Sequence, residues 1–359
     1  MKKKLKVTVV FDTDVPPPTD QDYSKHLEKQ VDEAEFDVYH ALVRCGHDVK
    51  LLGIHDDIRV LLDGLSKDPP DVVFHAAEAF RGLAVLDTTV PTILDALNIP
   101  YTGCAPSGLI VARDKALSKK VLAYHSICVP RFEVYPIGRE VTEPPGIPFP
   151  LLVKPQSEDA SYGIAKTSIV NDLDALRERV SHVHNWLKRD VIAEELINGR
   201  ELYVGVLGNE KLQVLPTVEM TFENKPNIAT FKVKWDETYR ERRGIRNVFP
   251  TDLTEEVECR LAEVASTTYR VLGLRDYGRI DVRLTPKNEI YVLEANPNPF
   301  IAFGEDFANA AELAGLPYPQ LLDRIVEQAH SRTPRNGKNG KKPSRASEET
   351  ASRPAADVT

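Results

Sequence analysis

The chain has 359 residues, 42% of them hydrophobic and 28% charged, with a formal net charge of −8. That length exceeds one ordinary domain and supplies apolar residues for two or three cores. The acidic balance excludes a generally basic nucleic-acid footprint, and no segment approaches the roughly 20 apolar residues of a membrane span.

Strand and helix patterns alternate through the first hundred residues. Leu5–Phe11 is an apolar run of strand length. Val31, Phe36, Val38, Leu42 and Val43 follow at helical spacing, and Cys45-Gly46 stops that helix. Val49–Ile54 reads as a strand, Ile58–Leu65 as a helix, and Asp71–Phe74 as a strand after Pro69-Pro70. Thr88–Leu97 reads as a helix and Pro100–Thr102 as a short strand. Repeated βαβ units imply a parallel, doubly wound sheet.

A second unit opens near Ser107 with a helix from about Gly108 to His125, carrying Asp114-Lys115. Strands at Phe149–Lys154 and Asp190–Glu195 flank an irregular loop and a helix at Asp172–Leu187. Lys154 ends an otherwise apolar strand, where its ammonium group can meet phosphate as a point charge. The loop after it runs Pro155-Gln-Ser-Glu-Asp-Ala-Ser-Tyr-Gly163. Ser157 and Ser161 offer hydroxyls, and the backbone offers N–H groups, to phosphate oxygens. The loop is not a Walker sequence, and a surface turn is the competing reading. Ile192–Glu201 reads as strand, bend, strand. Backbone groups at such a bend can bond an adenine edge, and Glu201 can accept from ribose hydroxyls; a charged connector is the plainer alternative. Lys115, taken alone, reads as a solvated helix lysine.

The third unit holds strands at Glu201–Leu207 and Leu212–Met220, a charged stretch at Phe231–Arg246 and a helix at Glu255–Leu272. Two period-2 segments follow, Gly278–Leu284 and Glu289–Asn296, joined through Pro286 and Asn288 as a hairpin. Ile280, Val282 and Leu284 share one face, leaving Arg279, Asp281 and Arg283 on the other. Such a hairpin brings Asp281 close to Glu294 and Asn296, with Arg279 alongside. Two carboxylates and one amide oxygen suit Mg²⁺, which completes its shell with phosphate and water. The guanidinium fits a phosphate or a developing oxyanion. A solvated hairpin face is the alternative. A last helix near Tyr318–Gln328 precedes a tail, 331–359, without aromatic residues, Leu, Ile or Met, which is expected to be disordered. Cys45, Cys104, Cys128 and Cys259 form no CxxC pair, and the apolar run after Met1-Lys-Lys-Lys is too short for a signal segment. A cytoplasmic protein is expected.

Taken in order, a helix lysine, a strand-end lysine, a Ser/Gly loop, Glu-Glu at a bend, Arg-x-Asp and Glu-x-Asn resemble the ATP-grasp superfamily. The likeness is closest to the D-alanine–D-alanine ligases and runs from about residue 70 to 328. Its strongest parts are Asp71-Val-Val-Phe, Ile99-Pro-Tyr-Thr-Gly, Asp114-Lys115, Phe149–Pro155, Glu194–Glu201 and Gly278–Asn296. The resemblance implies an α/β fold of ATP-grasp architecture. A doubly wound N-terminal domain (1–106) would precede a central subdomain (107–199) and a C-terminal subdomain (200–330) that clamp ATP. It implies that Lys115 and Lys154 contact the phosphates and base of ATP, that Glu194 and Ile197 line the adenine site, and that Glu201 meets the ribose. Asp281, Glu294 and Asn296 match the family's Mg²⁺ ligands, with Mn²⁺ as an alternative ion. Arg279 matches the arginine that stabilises the transferred phosphoryl group, and Ser161 one of a pair of loop serines. Lys234-Trp235 aligns with a lysine–tyrosine pair on a mobile lid.

The implied chemistry joins a small-molecule carboxylate to an amine through an acyl phosphate. The implied partners include neither nucleic acid nor membrane, and a homodimer is compatible with the resemblance. The acceptor half departs from the family pattern. Phe300 stands at its glycine, Glu305-Asp306 in its serine region, Ala160 at one loop serine, and Asp12-Thr-Asp-Val-Pro in place of its Ser-x-Glu. A ligase with other substrates is therefore the leading expectation, ahead of a true D-alanine–D-alanine ligase of cell-wall synthesis. A non-catalytic ATP-binding regulator is the reading from outside the enzymes.

Overall fold

The computed structural model describes residues 3–29, 33–158, 163–222 and 245–332. It opens with β1 (Lys6–Asp12), α1 (Ser24–Lys29), α2 (Ala34–Arg44), β2 (Asp48–Ile54), α3 (Ile58–Lys67), β3 (Val72–His75) and α4 (Thr89–Leu97). The three strands pair in parallel in the order β2-β1-β3, as the βαβ alternation implies. Val7, Val9 and Phe74 face one core with Phe36 and Leu42 of α2, while Val10, Leu52 and Val73 face another with Leu61 and Leu94. Both faces are apolar because helices cover both. Pro100–Thr102 is not a strand of its own; it contributes a single parallel bridge, Tyr101 to Val73.

The helix expected over Gly108–His125 is two helices, α5 (Pro106–Arg113) and α6 (Lys115–Tyr124). Asp114 breaks them, with extended backbone, and its carboxylate caps α6 by accepting from Ala116 N at 3.0 Å and Leu117 N at 2.9 Å. Then come β4 (Phe132–Tyr135), β5 (Leu151–Pro155), β6 (Ile169–Val170), α7 (Leu173–Leu187) and β7 (Val191–Glu195). These strands form an antiparallel sheet, β4-β7-β5-β6, whose apolar residues pack with Leu176, Val180 and Val183 of α7.

The remaining elements are β8 (Arg200–Gly208), β9 (Leu212–Val214), β10 (Val218–Thr221), β11 (Arg246–Val248), α8 (Glu255–Val271), β12 (Tyr277–Leu284), β13 (Ile290–Pro297), α9 (Asp306–Leu313) and α10 (Tyr318–Ser331). Leu212–Met220 is thus two strands rather than one. The third sheet, antiparallel like the one before it, runs β11-β10-β8-β12-β13, with β9 on β8. Leu202, Val204, Val206, Ile280, Val282 and Leu284 pack on Val257, Leu261, Ala265 and Tyr269 of α8. The same core holds Leu109 and Ala112 of α5 and Leu122 of α6. The opposite face of β8 and β12 carries Glu201, Arg279, Asp281 and Arg283 beside Tyr203, Leu207 and Tyr277, which join a core with Phe307. No helix among the described residues is long and apolar enough to cross a membrane. The expected tail lies outside the described residues from 333 onward, as does most of the charged stretch 231–246.

One buried carboxylate ties the parallel sheet's loop to the C-terminal half. Asp276 is fully buried and accepts from Gly103 N at 2.8 Å, Asn209 Nδ2 at 2.9 Å and the guanidinium of Arg332. Beside it, Arg275 donates to Gly103 O at 2.7 Å and stacks over Tyr101. Removing one partner of a buried ion pair leaves the other charge uncompensated. Asp276→Ala should therefore lower stability by about 3–5 kcal/mol in urea unfolding, and Asp276→Asn, which keeps the size and one of the two acceptor oxygens, by less.

Candidate active site

The hairpin forms and brings Asp281 close to Glu294 and Asn296 with Arg279 alongside, as expected, through a register that shifts by one residue between Asp281 and Val282. Arg279 stands opposite Asn296, and Asp281 opposite Glu294. On the other side of β12, Asp281 lies opposite Tyr203 and Arg283 opposite Glu201. This is not a solvated face: Asp281 is 2% exposed and Arg283 6%. Arg279 grips Asp281 with Nε–Oδ1 at 2.7 Å and Nη2–Oδ2 at 2.9 Å, and its guanidinium lies 4.7 Å over the Tyr203 ring. Burial opposes the arginine's charge, and the adjacent Asp281 carboxylate outweighs it, so the guanidinium is held protonated more firmly than usual. Asn296 donates from Nδ2 to Arg279 O at 3.4 Å, which leaves its amide oxygen as an acceptor.

The donor set fits a hard cation that binds chiefly through phosphate. Asp281 and Glu294 share one face of the hairpin, and a carboxylate oxygen engaged by a guanidinium retains a second lone pair. Among the described residues no group of three or more His, Cys, Asp and Glu gathers as a metal cluster. Two carboxylates and one amide oxygen form an incomplete shell, which suits Mg²⁺ with phosphate and water better than an ion needing a full protein cage.

A buried ionic cluster stands beside the hairpin. Lys154, at the end of β5, puts Nζ 2.6 Å from Glu194 Oε1 of β7. Lys119 lies 3.4 Å from Glu194 Oε2, and Lys115 lies 3.4 Å from Glu294 Oε2 while donating to Glu158 O at 2.5 Å. The three lysines are 1–4% exposed and Glu194 is 1% exposed. Lys115 is therefore not a solvated helix lysine. Burial alone would raise the Glu194 carboxyl, but the ammonium groups of Lys119 and Lys154 overcome burial and hold it below the ordinary range. Burial pushes Lys119 down to about 8, with Glu194 opposing that shift. Three ammonium groups against two carboxylates leave an excess of positive charge, the electrostatic condition for taking up a phosphate chain.

Glu201 is buried and engaged, accepting from Arg283 at 2.6 Å and Tyr203 OH at 3.0 Å. It lines a cavity of about 970 Å³ together with Gly199, Met220, Phe222, Arg283 and Thr285. Ile197 is half-buried in the β7–β8 connection. Ser161 and Lys234 lie outside the described residues.

Sequence reasoning missed Lys119, Tyr203 and His75. Lys119 follows Lys115 by four residues and so shares its helix face, a spacing that was readable. Tyr203 is two residues beyond Glu201 on one strand and so shares its face. His75 ends β3, at the carboxyl edge of a parallel sheet, where ligands of such sheets bind. Both its ring nitrogens are buried without a hydrogen-bond partner, and burial pushes it down to about 4.

A family model described as D-ala D-ala ligase C-terminus matches residues 138–327. The D-alanine–D-alanine ligase of Bordetella petrii is 31% identical over 294 residues, 81% of this chain and 85% of that protein. An uncharacterized protein, y4sG, of Sinorhizobium fredii is 31% identical over 305 residues, 83% and 87% of the two chains. The crystal structure of D-alanine–D-alanine ligase from Bacillus anthracis complexed with ATP aligns with a TM-score of 0.69 at 22% identity, covering 90% of this chain and 97% of that one.

The depressed Glu194 carboxyl has a consequence for stability. Its folded-state value lies below the ordinary 4.5, so its ionised contribution is complete above 4.5 and is lost as pH falls through the lower folded value. The stability of the wild type relative to Glu194→Gln, measured by urea unfolding, should hold level from pH 7 to about 5.5 and decline below 4.5.

Proposed function

The chain belongs to the D-alanine–D-alanine ligase family of ATP-grasp architecture, and we propose that it joins a carboxylate to an amine at the expense of ATP, in the cytoplasm. The observation that carries this reading is the juxtaposition of Arg279, Asp281, Glu294 and Asn296 on paired strands with three buried lysines. A carboxylate oxygen of the first substrate attacks the γ-phosphorus, ADP departs, and an acyl phosphate forms. The amine nitrogen of the second substrate then attacks the acyl carbon, loses a proton, and phosphate leaves with the C–O bond pair.

Each residue has a task in that sequence. Lys115 and Lys154 hold phosphate oxygens as point charges. Glu194 and Ile197 border the base, and Glu201 accepts from the ribose. Asp281, Glu294 and Asn296 would hold Mg²⁺, or Mn²⁺ in its place, which when bound neutralises charge on the phosphate oxygens. Arg279 donates to the phosphoryl group in transfer and to the oxyanion of the tetrahedral species. By motif alone, Ser161 belongs to the phosphate loop and Lys234 to the lid. A non-catalytic regulator would not need this complete set.

Arg279 holds Asp281 through a fork that lysine cannot reproduce. Arg279→Lys should therefore lower kcat by about 10²–10³ while leaving ATP affinity nearly unchanged, as read by steady-state kinetics beside calorimetric binding. A raised KM for ATP at unchanged kcat makes Arg279 a ground-state ligand instead.

The acceptor side favours a substrate other than a second D-alanine. Asp306 accepts from Asn247 Nδ2 at 2.7 Å through both carboxylate oxygens, and its charge reaches Arg279. Glu305 is the residue before α9, with no side-chain capping bond. Both also start a helix, a place that favours acids on its own account. A second substrate with an added positive group is attracted by roughly 1 kcal/mol for each close, partly desolvated contact. With ATP and Mg²⁺, mass spectrometry should detect little D-Ala-D-Ala from D-alanine alone and more product with cationic amines. Efficient D-Ala-D-Ala synthesis, unmoved by Glu305→Gln with Asp306→Asn, defeats this assignment and makes the chain a D-alanine–D-alanine ligase.

A further inference from the structure

The β12–β13 hairpin contains one unmatched residue. Glu294 stands opposite Asp281 and Val292 opposite Val282, so Leu293 between them has no partner across the ladder. A bulge of this kind turns the strand and re-aims the neighbouring side chain, and the neighbour is Glu294. The Leu293 carbonyl accepts from the ammonium group of Lys119. That same ammonium group lies 3.4 Å from Glu194 Oε2, an oxygen with no hydrogen bond of its own. Lys119 thus reaches from the α6 helix to both sheets, touching β7 through Glu194 and β13 at its bulge.

A buried ammonium group is costly to desolvate, and a whole buried ion pair can often be replaced by apolar side chains without loss, whereas removing one member strands the other; here Glu194 would still keep Lys154 at 2.6 Å. Lys119 is 1% exposed, so its charge points to a task beyond filling space. We propose that Lys119 is a positioning residue that fixes the bulge aiming Glu294 and holds the Glu194 carboxylate in place, so that one ammonium group sets both the metal end and the base end of the site. The inference rests on the nucleotide and metal reading given above. It predicts two separable effects, because Lys119 has two partners. Glutamine can still donate to the Leu293 carbonyl but brings no charge to Glu194; methionine does neither.

The test uses the full chain and binding rather than turnover. Calorimetry gives the Kd for ATP in EDTA, and a Mg²⁺ titration gives the concentration at which ATP binding is half-tightened. Supporting shells of this kind are worth about 10–100-fold. Lys119→Met should weaken ATP binding in EDTA and raise the Mg²⁺ half-point, each by about tenfold or more, in protein shown to be folded by circular dichroism. Lys119→Gln should weaken ATP binding similarly but move the Mg²⁺ half-point much less. The exposed neighbour Lys120→Met should change neither. If Lys119→Met does not fold, the comparison of Lys119→Gln with Lys120→Met carries the test. Wild-type ATP affinity and Mg²⁺ half-point in a folded Lys119 variant overturn the inference while the proposed function stands. A wild-type chain that binds no ATP overturns both.

Discussion

Buried charge is the constraint on which the rest of this structure depends. Lys115, Lys119 and Lys154 sit almost wholly out of water with Glu194, and Glu294 completes the group at the edge. Each such ion costs several kcal/mol to bury alone, so none is tolerable unless the others arrive. Those others come from α6, β5, β7 and β13, separated by up to 179 positions in the chain (294 − 115). Lys154 and Glu194 are diagonal neighbours on one face, since Leu152 is the direct partner of Glu194 and Ile192 that of Lys154. A one-residue slip of β5 against β7 would turn one of them to the apolar face, among Val153 and Ala193. The ionic cluster therefore enforces the register that the hydrophobic cores only permit.

This explains which parts were legible in the sequence. The hairpin was, because period-2 alternation fixes which residues of each strand share a face, although the pairing of Asp281 with Glu294 depends on the bulge at Leu293. The bulge at Leu293 was not, because an extra residue leaves the alternation looking merely irregular at one position. The parallel sheet was legible from its βαβ punctuation. The break at Asp114 was hidden by a continuous apolar pattern on either side, although an aspartate followed by helix formers is a capping signal. Helix α9 was legible only at its acidic start, Glu305-Asp306, where carboxylates favour a helix N-terminus, because Pro297-Asn-Pro299 gives no periodic signal before it. Burial of the lysines was invisible for a different reason. A lysine's environment is set by segments distant in sequence, and nothing within a local window distinguishes Lys119, buried, from Lys120, exposed.

On the proposed function, Arg279 and Asp281 would be held ready before any ligand binds. The pair is neutral overall, bidentate and stacked on Tyr203, so it imposes little net charge on the surrounding core. The fork uses Nε and one terminal nitrogen, leaving the other N–H groups of the guanidinium for a further acceptor. Tyr203 is fixed in turn by donating to Glu201, whose other oxygen is held by Arg283. Arginine and carboxylate thus alternate across β8 and β12. Each side chain's orientation is set by its neighbours before any substrate enters, which is the preorganisation that electrostatic catalysis requires.

On the function proposed above, the acceptor side would work by subtraction. A helix N-terminus presents unpaired N–H groups and a partial positive charge, a natural seat for a carboxylate. Helix α9 begins at the end of the loop that follows Asn296, so its N-terminus would by default attract the carboxylate of an amino-acid acceptor. Glu305 at the capping position and Asp306 in the first turn cancel that attraction with full negative charges. Asn247 then takes up both oxygens of Asp306, holding the acid in the first turn. The lysine cluster meets β13 in mid-strand, at Leu293 and Glu294, and the acids of α9 follow after the strand's C-terminal end. On the proposed reading, charge would sort the substrates, with phosphate toward the lysines and any cationic group of the acceptor toward the helix.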